Sequence, residues 1–482
     1  ACMANSAGSP GPAPESSKVV PLRLDGQDTS PCVGTTNGRS GRAAQRPLRH
    51  RWRMLTILCV DMCVSYLPWY TFVPIMSQSM VVYGAGASDL NFLCILYSLV
   101  YVPGVFLCGG LLSAFGCHWC FTLATACLTL GCMLRCGPGV VMRLLYLSSP
   151  ADIGSSALAA GSGLEAATVG GSAAHSGHPM ATFEMLATGQ ALCAVGQTFL
   201  VNATSHLAAE WFVAEERPAA AMISNLMNFI GGSLSFVQPT WYVAADAPLG
   251  PARQQLTELL DAQLKLAVAA LALTVALYRD APIEKEDGED SPKRRAADAR
   301  AAAPLFSELC RVLSLRDFWV VNGQFTLYLT VLNTFDAVEG SLLANYGYSE
   351  ALSSWTAVSF CVTSVLSTAV ESALIKHPAH YRSALLGINA VLAASLLLGL
   401  GCLRQGMPGV CFVLAVGVMG FSTPGWGCSL EMGSEVCYPA REATVSSLLE
   451  AFGSIASVGG IMAAQRLIDT GQAAMVLVAM AV

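Results

Sequence analysis

Asp336 and Glu339 stand three residues apart inside an otherwise apolar stretch, from about Phe318 to Ala344. A charged side chain at the centre of a bilayer costs about 2.5–3.5 kcal/mol on insertion scales, so two of them are strongly disfavoured against lipid. Three-residue spacing puts both carboxylates on one face of a helix. The chemistry this suggests is binding of a cation, or relay of a proton, along a polar path inside a membrane protein. The competing reading is a buried pair satisfied by Asn322, Asn333 or a polar group of another helix. Asp61 is a third acid in an apolar stretch, and either faces the same path or pairs with a polar group such as Asn91.

The elements that must position these acids are helices in lipid. Of 482 residues, 54% are hydrophobic and 12% charged, against about 25% charged in soluble domains. Apolar segments follow one another at approximately 53–76, 90–115, 119–137, 183–207, 219–243 and 259–279, then 318–344, 350–374, 383–403, 408–430, 442–465 and 472–482. A spanning helix needs about 20 residues, so the last is expected to be cut short by the end of the chain. The expected organisation is a disordered cytoplasmic tail (1–50), a six-helix bundle (51–279), a charged cytoplasmic linker (280–317) and a second, incomplete bundle (318–482).

Arg39, Arg42, Arg46, Arg49, Arg51 and Arg53 precede the first segment, and Lys293, Arg294, Arg295 and Arg300 lie in the linker. With Lys376 and Arg382 they fall on one face of the membrane, which the positive-inside rule assigns to the cytosol. The loop from about Gly137 to Thr182 then lies on the opposite face. Its His175 and His178 read as solvated loop residues.

Other motifs carry less. The run Cys117-His118-Trp119-Cys120 has no second ligand pair and reads as a cytosolic loop. Asn202-Ala203-Thr204 matches a glycosylation sequon but falls within a span. No nucleophile elbow, Walker loop or nucleic-acid-binding surface is present in the sequence, so neither an enzyme nor a cofactor is expected.

The run Glu431-Met-Gly-Ser-Glu435-Val-Cys-Tyr438-Pro439-Ala-Arg441-Glu442-Ala-Thr444-Val-Ser-Ser447-Leu448-Leu449 resembles the signature of the feline leukaemia virus subgroup C receptor-related family of solute carriers. Gly189-Gln190, Gln197 with Phe199, Trp211-Phe212, Glu216, Asn228 with Gly231, Phe236 and Pro239 are similar to its fourth and fifth helices. Arg51-Trp52 through Trp69 resembles its first helix, and Tyr97 with Tyr101 and Pro103 its second. The resemblance implies an all-α membrane protein of the major facilitator superfamily, with twelve transmembrane helices in two six-helix bundles. Two departures stand out. The loop holding Gly109, Ser113, Ala114, Gly116 and His118 lacks the superfamily's Asp and basic positions, and Glu450 and Ser454 stand where the family has amides.

By that resemblance the chain is a secondary transporter of choline, ethanolamine or a related cationic amine. Alternatives are a heme or vitamin-like cargo on the same fold, or a non-transporting receptor. Trp69 is implied as one wall of the substrate site, since a ring face attracts a cation by about 0.5–2 kcal/mol. The facing wall falls on either Phe335 or Asp336, with Glu339 one turn on, and Gln197 and Asn228 are amides on cavity-lining helices. Asp61 is read as a gating or coupling acid. Glu431 and Glu435 are expected to form gate ion pairs with Arg441 or Arg217. The expected partners are the lipid bilayer, a cationic small molecule and protons as a coupling ion. Three central acids weigh against an anionic porphyrin. His206 sits at the cytosolic end of the fourth helix.

Overall fold

The computed structural model describes residues 50–138, 181–213, 216–245, 247–280, 305–374 and 380–482. The N-terminal tail, the loop with His175 and His178, the charged run from Glu284 to Arg300, and Lys376 lie outside the described residues. The helices are α1 (Arg51–Tyr66), α2 (Met76–Tyr83), α3 (Ala87–Cys136), α4 (Phe183–Trp211), α5 (Arg217–Tyr242), α6 (Leu249–Leu277), α7 (Leu305–Ser314), α8 (Arg316–Asn345), α9 (Leu352–Leu374), α10 (Tyr381–Arg404), α11 (Gly409–Met419), α12 (Pro424–Val436), α13 (Glu442–Asp469) and α14 (Ala473–Ala481). Among the described residues, eight helical stretches are long and apolar enough to cross a membrane. At 29 and 30 residues, α4 and α8 have the length but carry too many polar groups, Gln197 and Asp336 among them.

Within α3, Gly116 takes φ +81°, a left-handed conformation that suits glycine, and divides two crossing helices. Asp280, just beyond α6, accepts the backbone N–H of His118 at 2.8 Å. Cys117 and Cys120 are buried on the helix that follows, not in a loop. The described cysteines are free thiols, and no metal-holding cluster occurs among the described residues.

The first apolar segment is not one helix. Pro68 and Pro74 lack the N–H that a helix interior needs, so the chain unwinds after Tyr66 and resumes at Met76. Non-helical backbone at membrane depth persists only when protein satisfies it. Here Gln190 Nε2 donates to the Pro68 carbonyl at 2.8 Å, and Arg135 donates to Gln263 Oε1 at 2.9 Å and to Thr71 Oγ1 at 3.2 Å. Gln263 Nε2 donates in turn to Thr71 Oγ1 and Gln238 Oε1. Side chains of three other helices and of α3 therefore bolt the unwound stretch in place. Gln190→Leu orphans the Pro68 carbonyl, and thermal melting in detergent is expected to show a loss of about 1–3 kcal/mol. The 408–430 segment is broken likewise, by a 3-10 turn at Gly420–Ser422 before Pro424.

The linker is also more structured than expected. Its end forms α7, whose Val312, Leu309 and Leu313 pack on Val321, Phe325, Val445 and Leu449. Glu308 of α7 is 7% exposed and forms an ion pair with Arg441 Nε at 2.7 Å.

Residues 50–280 and 305–482 meet along a graded seam. Ser77 and Glu350, Ser88 and Asp469, and Asn91 and Gln465 are hydrogen-bonded at one end. Ser233 donates to the Ala357 carbonyl and Ser354 to the Phe236 carbonyl nearer the middle. At the Ser77 end Gly340 meets Val73 so closely that a Cβ on Gly340 would stand 2.2 Å from the Val73 carbonyl oxygen. All the hydrogen bonds described between the halves lie between mid-height and this end.

Candidate functional site

Mid-height between the halves lies a cavity of about 1310 Å³, its open mouth included. Trp69, Gln197, Asn228, Phe335, Asp336 and Glu339 all line it. Each arrives on a different structural device. Trp69 sits on the unwound stretch after α1, where its side chain escapes helical register. Gln197 and Asn228 come from α4 and α5. Asp336 and Glu339 project from one face of α8.

The register left either Phe335 or Asp336 as the facing wall. Phe335 is 2% exposed and packed in the core with Val338, Leu396 and Phe412, whereas Asp336 is partly accessible. Both line the cavity, and Asp336 is the more accessible of the two. Among the described residues no donor is hydrogen-bonded to it. Glu339 is 2% exposed and accepts the Thr356 hydroxyl at 2.6 Å. That partner is neither Asn322 nor Asn333; Asn333 instead donates to Ser457 Oγ at 3.1 Å.

Three tyrosines and a third acid were missing from the sequence-based site. Trp69 stacks on Tyr70 (centroids 4.8 Å apart, planes at 10°) and on Tyr97 (4.9 Å, 8°), with Tyr66 tilted against it at 5.5 Å. Glu450 of α13 accepts the Tyr101 hydroxyl from the first half, and Trp426 Nε1 at 3.3 Å. Its only sequence signal was a carboxylate where the resemblance led one to expect an amide. Tyr97 and Tyr101 had entered only as points of resemblance. The lining thus holds three carboxylates and, among the described residues, no lysine, arginine or histidine. Both side-chain polar atoms of Asn228 are buried without a hydrogen-bond partner.

The gating candidates stand away from the cavity. Asp61 is fully buried, and its Oδ2 accepts the Thr274 hydroxyl at 2.6 Å, tying α1 to α6. It does not line the cavity, and Asn91 pairs with Gln465 at 2.6 Å instead. Glu431 and Glu435 are exposed, and Glu431 accepts the Tyr381 hydroxyl. Arg441 makes an ion pair with the buried Glu308 of α7 at 2.7 Å. Arg217 donates to the Phe212 carbonyl at 3.1 Å, and Glu216 pairs with Arg51 at 2.9 Å.

No family model matches the chain. Among curated proteins it is 23% identical over 422 residues to solute carrier family 49 member A3 of Danio rerio, covering 84% of this chain and 76% of that one. It is 22% identical over 442 residues to the choline/ethanolamine transporter FLVCR1 of Felis catus, covering 89% and 70%. The choline/ethanolamine transporter FLVCR2 of Homo sapiens is 22% identical over 421 residues, covering 85% and 71%. These are the relatives to which the Glu431–Leu449 motif pointed. Among solved structures, the inward-open xylose transporter XylE of E. coli superimposes with a TM-score of 0.61 at 11% identity, covering 89% of this chain and 94% of that one. A bacterial homologue of the human lysosomal transporter Spinster, inward-facing and unoccupied, gives 0.56 at 12%, covering 90% and 94%. The fold is that of the major facilitator superfamily, and the apolar helices make the chain a multi-pass integral membrane protein.

Proposed function

We propose that this transporter carries a small cationic amine, of the choline and ethanolamine class, by rocking its two bundles about the central cavity. The observation that carries this reading is the lining: three carboxylates and an aromatic stack, with no basic side chain among the described residues. A cation entering finds charge compensation already in place. An anionic porphyrin would meet only like charge, which disfavours heme. The names of the relatives point to the same amines.

The sealed Ser77 end lies opposite Arg51, Arg53 and the linker helix, where basic residues concentrate. By the positive-inside rule the basic end faces the cytosol. The N-terminus is then cytoplasmic, the Ser77 end is outer, and the cavity is poised to exchange with the cytosol. Protons are the coupling ion we would look for, given the acids in the lining.

The test is uptake of radiolabelled choline and ethanolamine by purified protein in liposomes. Saturable uptake of at least one is expected. Trp69→Ala should lower it several-fold, since it removes the ring against which Tyr66, Tyr70 and Tyr97 pack at the cavity. Folded, reconstituted protein that takes up neither amine would overturn the cationic-amine reading and bring vitamin-like cargoes or a receptor role forward.

A further inference from the structure

The three acids of the lining are not equivalent, and the aromatic wall is not bare. We propose that the site selects amines bearing N–H bonds over quaternary ammonium ions, and that Asp336 makes the selection. This inference rests on the cationic-amine reading above.

Glu339 already receives the Thr356 hydroxyl, and Glu450 receives both Tyr101 and Trp426. Asp336 is partly accessible, lines the cavity, and receives no hydrogen bond from any described residue. A carboxylate lining a cavity with no donor of its own is satisfied best by a donor that also carries positive charge, because charge-assisted hydrogen bonds are the stronger kind. Only an N–H ammonium supplies one. A quaternary ion offers charge at a longer distance and leaves the carboxylate oxygens without a donor.

A quaternary ion would find its compensation on ring faces. Here the Trp69 ring is stacked almost parallel on Tyr70 and on Tyr97. Tyrosine rings therefore occupy places over the indole where a trimethylammonium group would settle. The free polar atoms point the same way. Asn228 Oδ1 is an unpartnered buried acceptor, fit for a second N–H. Asn228 Nδ2 is an unpartnered donor, fit for a hydroxyl. The set matches an amino alcohol with a primary ammonium.

The experiment is competition for labelled ethanolamine uptake in liposomes by ethanolamine and its mono-, di- and trimethylated forms, the last being choline. Each methyl removes one N–H. The half-inhibitory concentration is expected to rise along the series and to reach tenfold or more at choline. Asp336→Asn should flatten the series towards a ratio of one, and Asp336→Glu should restore its slope. Choline competing as well as ethanolamine in the parent protein overturns the selectivity while leaving the cationic-amine reading intact. So does an unchanged ratio in Asp336→Asn. Absence of uptake of both labelled ethanolamine and labelled choline removes the reading and the inference together. The methylation series in the parent protein decides the question even where Asp336→Asn does not fold.

Discussion

Gly340→Val is expected to abolish net uptake, at least tenfold below the parent, without unfolding the protein. A Cβ at residue 340 would stand 2.2 Å from the Val73 carbonyl oxygen, and backbone cannot step aside as a flexible side chain can. The clash lies between the halves of the chain rather than inside either one. Moving the halves apart at the Ser77 end relieves it, so the penalty falls on the state closed at that end alone. Overpacking of about 1–3 kcal/mol applied to one of two states shifts their balance by roughly 5- to 150-fold. Cys94 reports the change. It is 3% exposed and donates to the Trp69 carbonyl. A thiol reagent added to the purified protein should modify it in Gly340→Val and spare it in the parent. Equal modification in both proteins, or normal uptake by the variant, would refute the assignment of Gly340 as the closing contact.

The second large effect is expected at Arg135. This side chain is 1% exposed, and no described carboxylate forms an ion pair with it. Its charge is balanced by the carbonyl end of α3, in whose last turn it lies, and by the Phe72 ring at 5.6 Å. Its two hydrogen bonds hold Gln263 and Thr71 against the unwound stretch that presents Trp69. Arg135→Ala leaves those groups short of a donor beside an unfilled space. Hydrogen bonds to charged groups contribute about 1.5–3 kcal/mol each, so a large drop in melting temperature is expected. Uptake should fall with it, because Trp69 loses its platform. Arg135→Lys keeps the charge without the two-pronged geometry and should recover only part of both. An Arg135→Ala protein that melts with the parent would show that Gln190 and Gln263 suffice.

The sequence made the spans legible because lipid imposes its length rule on every segment at once. It also singled out Asp336 and Glu339, since an acid in an apolar run is hard to explain by packing. Where it misled, local chemistry competed with a stronger average signal. Pro68 and Pro74 sit inside so apolar a run that hydropathy masked the break between α1 and α2. The amphipathic pattern of Leu305 to Leu313 was hidden at the end of a charged run, and with it the Glu308 that pairs with Arg441. Asp61 looks no different in sequence from Asp336. Only the three-dimensional neighbours decide that one is tied to Thr274 while the other is open to the cavity. The tyrosine stack was harder still, because Tyr66, Tyr70 and Tyr97 lie on separate stretches and meet only through the unwound turn.

The unbalanced lining also bears on energetics across a live membrane. A lining with no basic side chain among the described residues brings no positive group of its own along with the cargo. If no second ion accompanies the amine, each turnover moves one elementary charge. The membrane potential then does work on it, about 2.3 kcal/mol per 100 mV. At 100 mV, inside negative, that sustains a concentration ratio of roughly fifty-fold. Voltage alone would make such a carrier a concentrating device.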